Sequence, residues 1–212
     1  MNAAVQNKKL RTGIARMFAG ALVGGIATFL FLEFVGERFM DLDDAAVMLT
    51  VMAGLIYALI GLSVAFGLIA PRAGARFLNV EDAEELREEG PKLKIGAAAS
   101  VLMGAFLLVL GLTSSGSLGR EPALILLALC LAGAIVLTLI GRNRTDELTR
   151  QISLEASALT LQLALLATAT WAALAQLDYV EWISPLGLLS GLALLQLVAV
   201  FVVSARKGLL LR

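Results

Sequence analysis

This chain has no histidine, a single cysteine and only four prolines, and each scarcity closes off a class of function. Without imidazole there is no His-ligated haem or metal centre, no Ser-His or Cys-His hydrolytic pair and no imidazole proton shuttle. Cys130 stands alone inside an apolar run, so it forms no intrachain disulfide and reads as a small buried apolar side chain. Pro71, Pro91, Pro122 and Pro185 all lie at or beyond the ends of apolar runs. The proline-broken midplane helices typical of secondary transporters therefore have no counterpart in the pattern. No glycine-rich phosphate loop occurs. Charge is sparse too: 16% of residues are charged, against about 25% in a soluble domain. Net charge is zero and no basic patch stands apart, so nucleic acid is not an expected partner. The expectation is a non-enzyme with no catalytic residues, cofactor or metal.

What the chain does have is apolar length. Hydrophobic residues make up 59% of it, and its mean hydropathy is +0.88. Six uncharged runs, at 17–32, 45–70, 95–119, 122–141, 156–177 and 183–205, each reach about 20 helical residues once flanks are counted, enough for about 30 Å of hydrocarbon. Alternating strand patterning is absent, so helices rather than a barrel keep the backbone groups paired. The predicted fold is all-α: a single integral membrane bundle of six transmembrane helices over 1–212, with spans at 14–35, 45–70, 95–114, 122–141, 154–176 and 185–205. Lys8, Lys9, Arg11 and Arg16 precede the first run as in a signal peptide. That run is too long for one and has no small-residue cleavage site before Glu33, so it reads as an uncleaved span.

Charge sets the expected orientation. With the N-terminus inside, all of the 17 Lys and Arg except Arg38 and Arg120 fall on the cytoplasmic side, which predicts N-in and C-in. The outer loops are acidic, with Glu33, Glu37, Asp41, Asp43 and Asp44 after the first span. Cap chemistry agrees with the span ends. Thr145 reads as an N-cap before Asp146 and Glu147, and Ser184-Pro185 as a cap with proline at the first helical position. Tyr179 and Trp182 fall at the outer interface, whereas Trp171 lies deeper.

Two inner loops are candidates for meeting a partner. Residues 79–91 predict a short cytoplasmic helix between the second and third spans, capped by Asn79 and stopped by Gly90-Pro91. Glu81, Asp82, Glu84, Glu85, Glu88 and Glu89 make it an acidic rod, and Leu86 belongs to its thin apolar stripe. It reads either as a connector against the bundle base or as a docking surface; its acidity argues against anionic lipid. The second loop carries Arg144, Asp146, Glu147 and Arg150 into the fifth span, with Asp146 and Arg150 spaced for an i,i+4 pair.

Within the membrane the fifth span is the most polar. Glu155, Gln162 and Gln176 share one face at seven-residue spacing, and Ala156, Thr160, Ala164, Thr168 and Ala172 form a row at four-residue spacing. Gly20/Gly24, Ser100/Gly104 and Gly187/Gly191 are similar small-residue pairs, suited to packing within the chain or between copies. Glu155 lies about one turn inside the cytoplasmic boundary and reads as an interface anchor paired with Arg150 or Gln151, with proton relay as the alternative. Gly54/Gly61 and Gly104/Gly111 align at an offset of 50, which reads as shared composition, with an inverted repeat as the other reading.

The stretch Asp146, Glu147, Ile152 and Ala156, entering a late helix, resembles small bacterial multi-helix inner-membrane proteins of unknown function. Some of these are encoded beside Cro-like helix-turn-helix regulators. The resemblance implies a multi-pass protein of the bacterial inner membrane with a regulatory or partner role. The leading expectation is a scaffold or regulator that contacts a cytoplasmic or membrane protein, or a second copy of itself. A small-solute or ion transporter and an accessory subunit of a larger membrane complex are the alternatives.

Overall fold

The computed structural model describes residues 24–26, 29, 33, 44–71, 74, 84, 88–142 and 146–208, Arg142 by its backbone alone. The described residues are all-helical and contain no strand. Among the described residues, five helices are long and apolar enough to cross a membrane: α1 (Ala45–Ile69), α2 (Gly90–Ser114), α3 (Arg120–Arg142), α4 (Glu147–Gln176) and α5 (Pro185–Arg206). They correspond to the second to sixth expected spans. The first expected span, most of the 79–91 helix and the outer acidic residues up to Asp43 lie outside the described residues, apart from the positions named above.

Local chemistry starts each helix. The Asp44 carboxylate accepts from the Ala46 N–H at 2.7 Å to cap α1, and the Ser184 hydroxyl accepts from the Gly187 N–H at 3.0 Å to cap α5. Pro185 follows in the first turn of α5, where a missing N–H costs no helical hydrogen bond. Two starts differ from the sequence expectation by more than two residues. α2 begins at Gly90 rather than near 95, with Pro91 opening it. α4 begins at Glu147 rather than near 154, and Asp146, not Thr145, occupies the cap position. In both cases charged residues continue the hydrogen-bonded helix beyond the apolar run. Hydropathy marks where hydrocarbon ends, not where the backbone stops winding.

The helices pack in the sequence α3–α2–α1–α5–α4, with the α1–α2 contact the most extensive. That contact is a glycine seam between antiparallel helices. A Cβ on Gly104 would lie 2.6 Å from the Ala58 nitrogen and 2.7 Å from the Gly54 carbonyl oxygen, and one on Gly54 would lie 3.0 Å from the Gly104 oxygen. Outward from this centre the contacts repeat in mirrored register. Val101 Cγ2 stands 2.7 Å from a Cβ on Gly61, and Val51 Cγ2 stands 2.6 Å from one on Gly111. The offset of 50 therefore has a physical basis beyond composition: it is the register of a local two-fold relation between α1 and α2. Small residues at the seam let the backbones touch, which is how helices gain dispersion energy in lipid.

α1 also meets α5. The Tyr57 hydroxyl donates to the Ala193 carbonyl at 2.7 Å, and Tyr57, Ala53, Leu107 and Ala193 form a buried cluster where α1, α2 and α5 converge. A phenol this deep needs an acceptor, and the neighbouring helix supplies one. α3 rests on α2 through Gly133, whose Cβ would lie 2.9 Å from Leu102 Cδ1. The hydroxyls of Thr50, Thr113, Thr138, Thr160, Thr168, Thr170 and Ser190 donate to carbonyls four residues back in their own helices. Each polar group is thereby paired without a break in its helix.

Candidate functional site

α4 holds the intramembrane polar residues singled out above, Glu155, Gln162 and Gln176. The four-residue row of α4 faces α5: Ala156 is fully buried against Ala199 and Val203, flanked by Ile152 and Leu159, and Thr160, Ala164, Thr168 and Ala172 continue it half-buried. Near the other end a cavity of about 230 Å³ opens between the helices, lined by Ala164, Thr168, Trp171, Gly187 and Gly191 among others. A Cβ on Gly191 would meet nothing within 4 Å, as would one on Gly24, so neither glycine makes the close approach that Gly104 makes. The Trp171 indole N–H donates to the Glu181 carbonyl at 2.9 Å, tying α4 to the following loop. That loop turns at Asp178, whose φ of 59° is a left-handed conformation that Asp tolerates better than most residues.

At the other end of α4 lies an ionic cluster. Glu155 Oε1 accepts from Lys207 Nζ at 2.8 Å and from Gln151 Nε2 at 3.0 Å. Gln151 was legible as a partner from its i,i+4 spacing. Lys207 was not, since it lies 52 residues away on the far end of α5. Arg150 turns instead to Glu147, 3.6 Å away, rather than to Glu155 or Asp146. Asp146 lies 3.8 Å from Lys92, which also holds Glu89 at 3.2 Å, so one lysine joins the starts of α2 and α4. Asp146 is held below the ordinary carboxylate range, first by the Thr149 side chain that hydrogen-bonds to it and then by the Lys92 ammonium.

Gln162 and Gln176, which share the heptad face of Glu155, are exposed and point away from the α5 contact. Neither amide hydrogen-bonds to a described residue. Of the candidate docking residues, Glu84 and Glu88 are exposed and Glu89 is held by Lys92. Glu81, Asp82, Glu85, Leu86 and Arg144 lie outside the described residues. Among the described residues no three His, Cys, Asp or Glu side chains gather as metal ligands.

No protein-family model matches this chain, and comparison with curated proteins and with solved structures finds no match.

Proposed function

We propose that the protein is a non-enzymatic, polytopic membrane scaffold or regulator that works through contact with another protein. Gln162 carries this reading. It sits in the middle of α4, exposed, on the helix face that no described helix covers. An amide left in hydrocarbon without a partner is unfavourable, and an interhelical hydrogen bond to such a group contributes roughly 0.6–2 kcal/mol. A transmembrane helix from a second copy or another subunit would supply that bond. Gln176 and the end of the ionic cluster at Glu155 extend the same face along the whole helix. The reading includes six spans, N-in and C-in orientation and the bacterial inner membrane, supported by the one-sided distribution of Lys and Arg. On that orientation the Glu89–Lys92–Asp146 group and the 79–91 segment form the cytoplasmic docking side. A solute pathway along Glu155 and Gln162 would need that face to line a cavity; its exposure favours contact over passage.

A photo-crosslinking side chain at position 162 in native membranes tests the idea. A protein adduct that weakens when Gln176→Leu is added is the expected result; adducts to lipid alone would sink it. Deleting 80–89 should abolish affinity capture of a cytoplasmic partner from gently solubilised membranes without altering the adduct at 162.

A further inference from the structure

A second cleft lies on the far side of the bundle, between the last turns of α1, the first half of α2 and the second half of α3. Its volume is about 780 Å³, within the roughly 300–1,000 Å³ typical of ligand pockets. The floor is one stripe of α2: Lys94, Ala97, Ala98 and Val101 recur at i, i+3, i+4 and i+7. Ala97 is buried, and Leu68 and Val136 are among the wall residues from α1 and α3. Where Gly133 meets Leu102, α3 closes on α2 and ends the cleft.

The one charged lining residue is Lys94, at the helix-end mouth. It is exposed, and no described carboxylate lies within ion-pair distance of it. The neighbouring acid Glu89 and the acid Asp146 are both taken by Lys92, two residues away and on a different face. From Lys94 to Leu102 the floor runs eight residues, about 12 Å of helix. Half of a 30 Å hydrocarbon core is about 15 Å, so the cleft has the depth of one leaflet. A cation at the interface above an apolar trough one leaflet deep is complementary to a single phospholipid.

We propose that this cleft binds an anionic phospholipid, its phosphate at Lys94 and an acyl chain along Ala98 and Val101. The charge selects the headgroup. A zwitterionic lipid brings its own cation to the phosphate, whereas an anionic one leaves a net charge for Lys94 to meet, the general behaviour of basic pockets between transmembrane helices. Ala98 is small where the chain would lie, which keeps the trough open. The inference rests on the reading that these helices cross a bilayer, and not on the protein-contact face of α4.

Native mass spectrometry of the full chain, exchanged from detergent into phosphatidylglycerol or phosphatidylcholine, tests it. Phosphatidylglycerol should be retained in preference, and Lys94→Gln should lower that preference roughly five-fold, the scale of one lysine at an anionic surface. Lys207→Gln, a cation already engaged by Glu155, should leave it unchanged. Ala98→Trp, which fills the trough, should reduce retention of both lipids. Equal retention of the two lipids by the unaltered chain would overturn the proposal, as would an undiminished preference in Lys94→Gln. So would a cysteine at 98 that crosslinks to one in the 17–32 run without any lipid adduct. Because lipid retention is read on the isolated chain, loss of the crosslink at 162 leaves it standing, and the converse holds.

Discussion

Gly54 and Gly104 touch through their backbones: a Cβ on either would lie within 3.0 Å of the other's carbonyl oxygen. This contact is the centre of the α1–α2 seam. The mirrored pairs Gly61–Val101 and Gly111–Val51 extend it in both directions.

Gly104→Ala should therefore be destabilising although alanine favours helices. Its methyl would need α1 to move away, and overpacking of this kind costs typically 1–3 kcal/mol. Gly191→Ala, whose Cβ meets nothing within 4 Å, should be neutral or slightly stabilising. Thermal unfolding of the two variants in one detergent makes the comparison. Equal midpoints would contradict the seam.

Tyr57→Phe keeps the ring in its cluster with Ala53, Leu107 and Ala193 and removes only the donor to the Ala193 carbonyl. The expected loss is about 0.5–1.5 kcal/mol, the net worth of one hydrogen bond. Tyr57→Ala should lose several times more by opening a cavity where three helices meet. Both are read by the same unfolding measurement, and the ratio between them separates the hydroxyl from the ring.

Charge reversal tests the tie between α4 and α5. Lys207→Glu places two carboxylates at the 2.8 Å contact and should lower the unfolding midpoint. Adding Glu155→Lys should restore much of it. The effect should shrink as salt is raised, because both side chains are partly exposed. Failure of the double variant to recover would show that Lys207 does not act through Glu155.

Asp146 gives a pH dependence with a definite sign. Its carboxyl is lowered in the folded protein, so its contribution is complete above the ordinary aspartate value of about 3.9 and is lost as pH falls through the folded value. Carbon-detected NMR titration of aspartate carboxyls in the solubilised protein should find Asp146 below that value. Thr149→Val should move it upward, and Lys92→Met should do so by less. A titration at or above the ordinary value would refute the assignment.

Composition alone determined that several helices of this chain are long and apolar enough for a membrane, because the free energy of placing a side chain in hydrocarbon depends on its own chemistry. The caps at Ser184 and the Gln151–Glu155 pair were legible for the same reason, since both are local. Helix starts were less so, because charged residues at Gly90–Lys94 and Glu147–Arg150 wind on past the apolar boundary. Only the tertiary structure decided which small-residue rows are seams. Gly104 of the Ser100/Gly104 pair is buried against Gly54, while a Cβ on Gly191 of the Gly187/Gly191 pair would meet nothing within 4 Å, although both pairs fit close packing by spacing. It also decided that Glu155 answers to Lys207, that Gln162 faces outward, and that Lys94 stands over an apolar trough. Those facts depend on which helix lies beside which, and in lipid that choice turns on the fit of whole surfaces rather than on the polarity of any one residue.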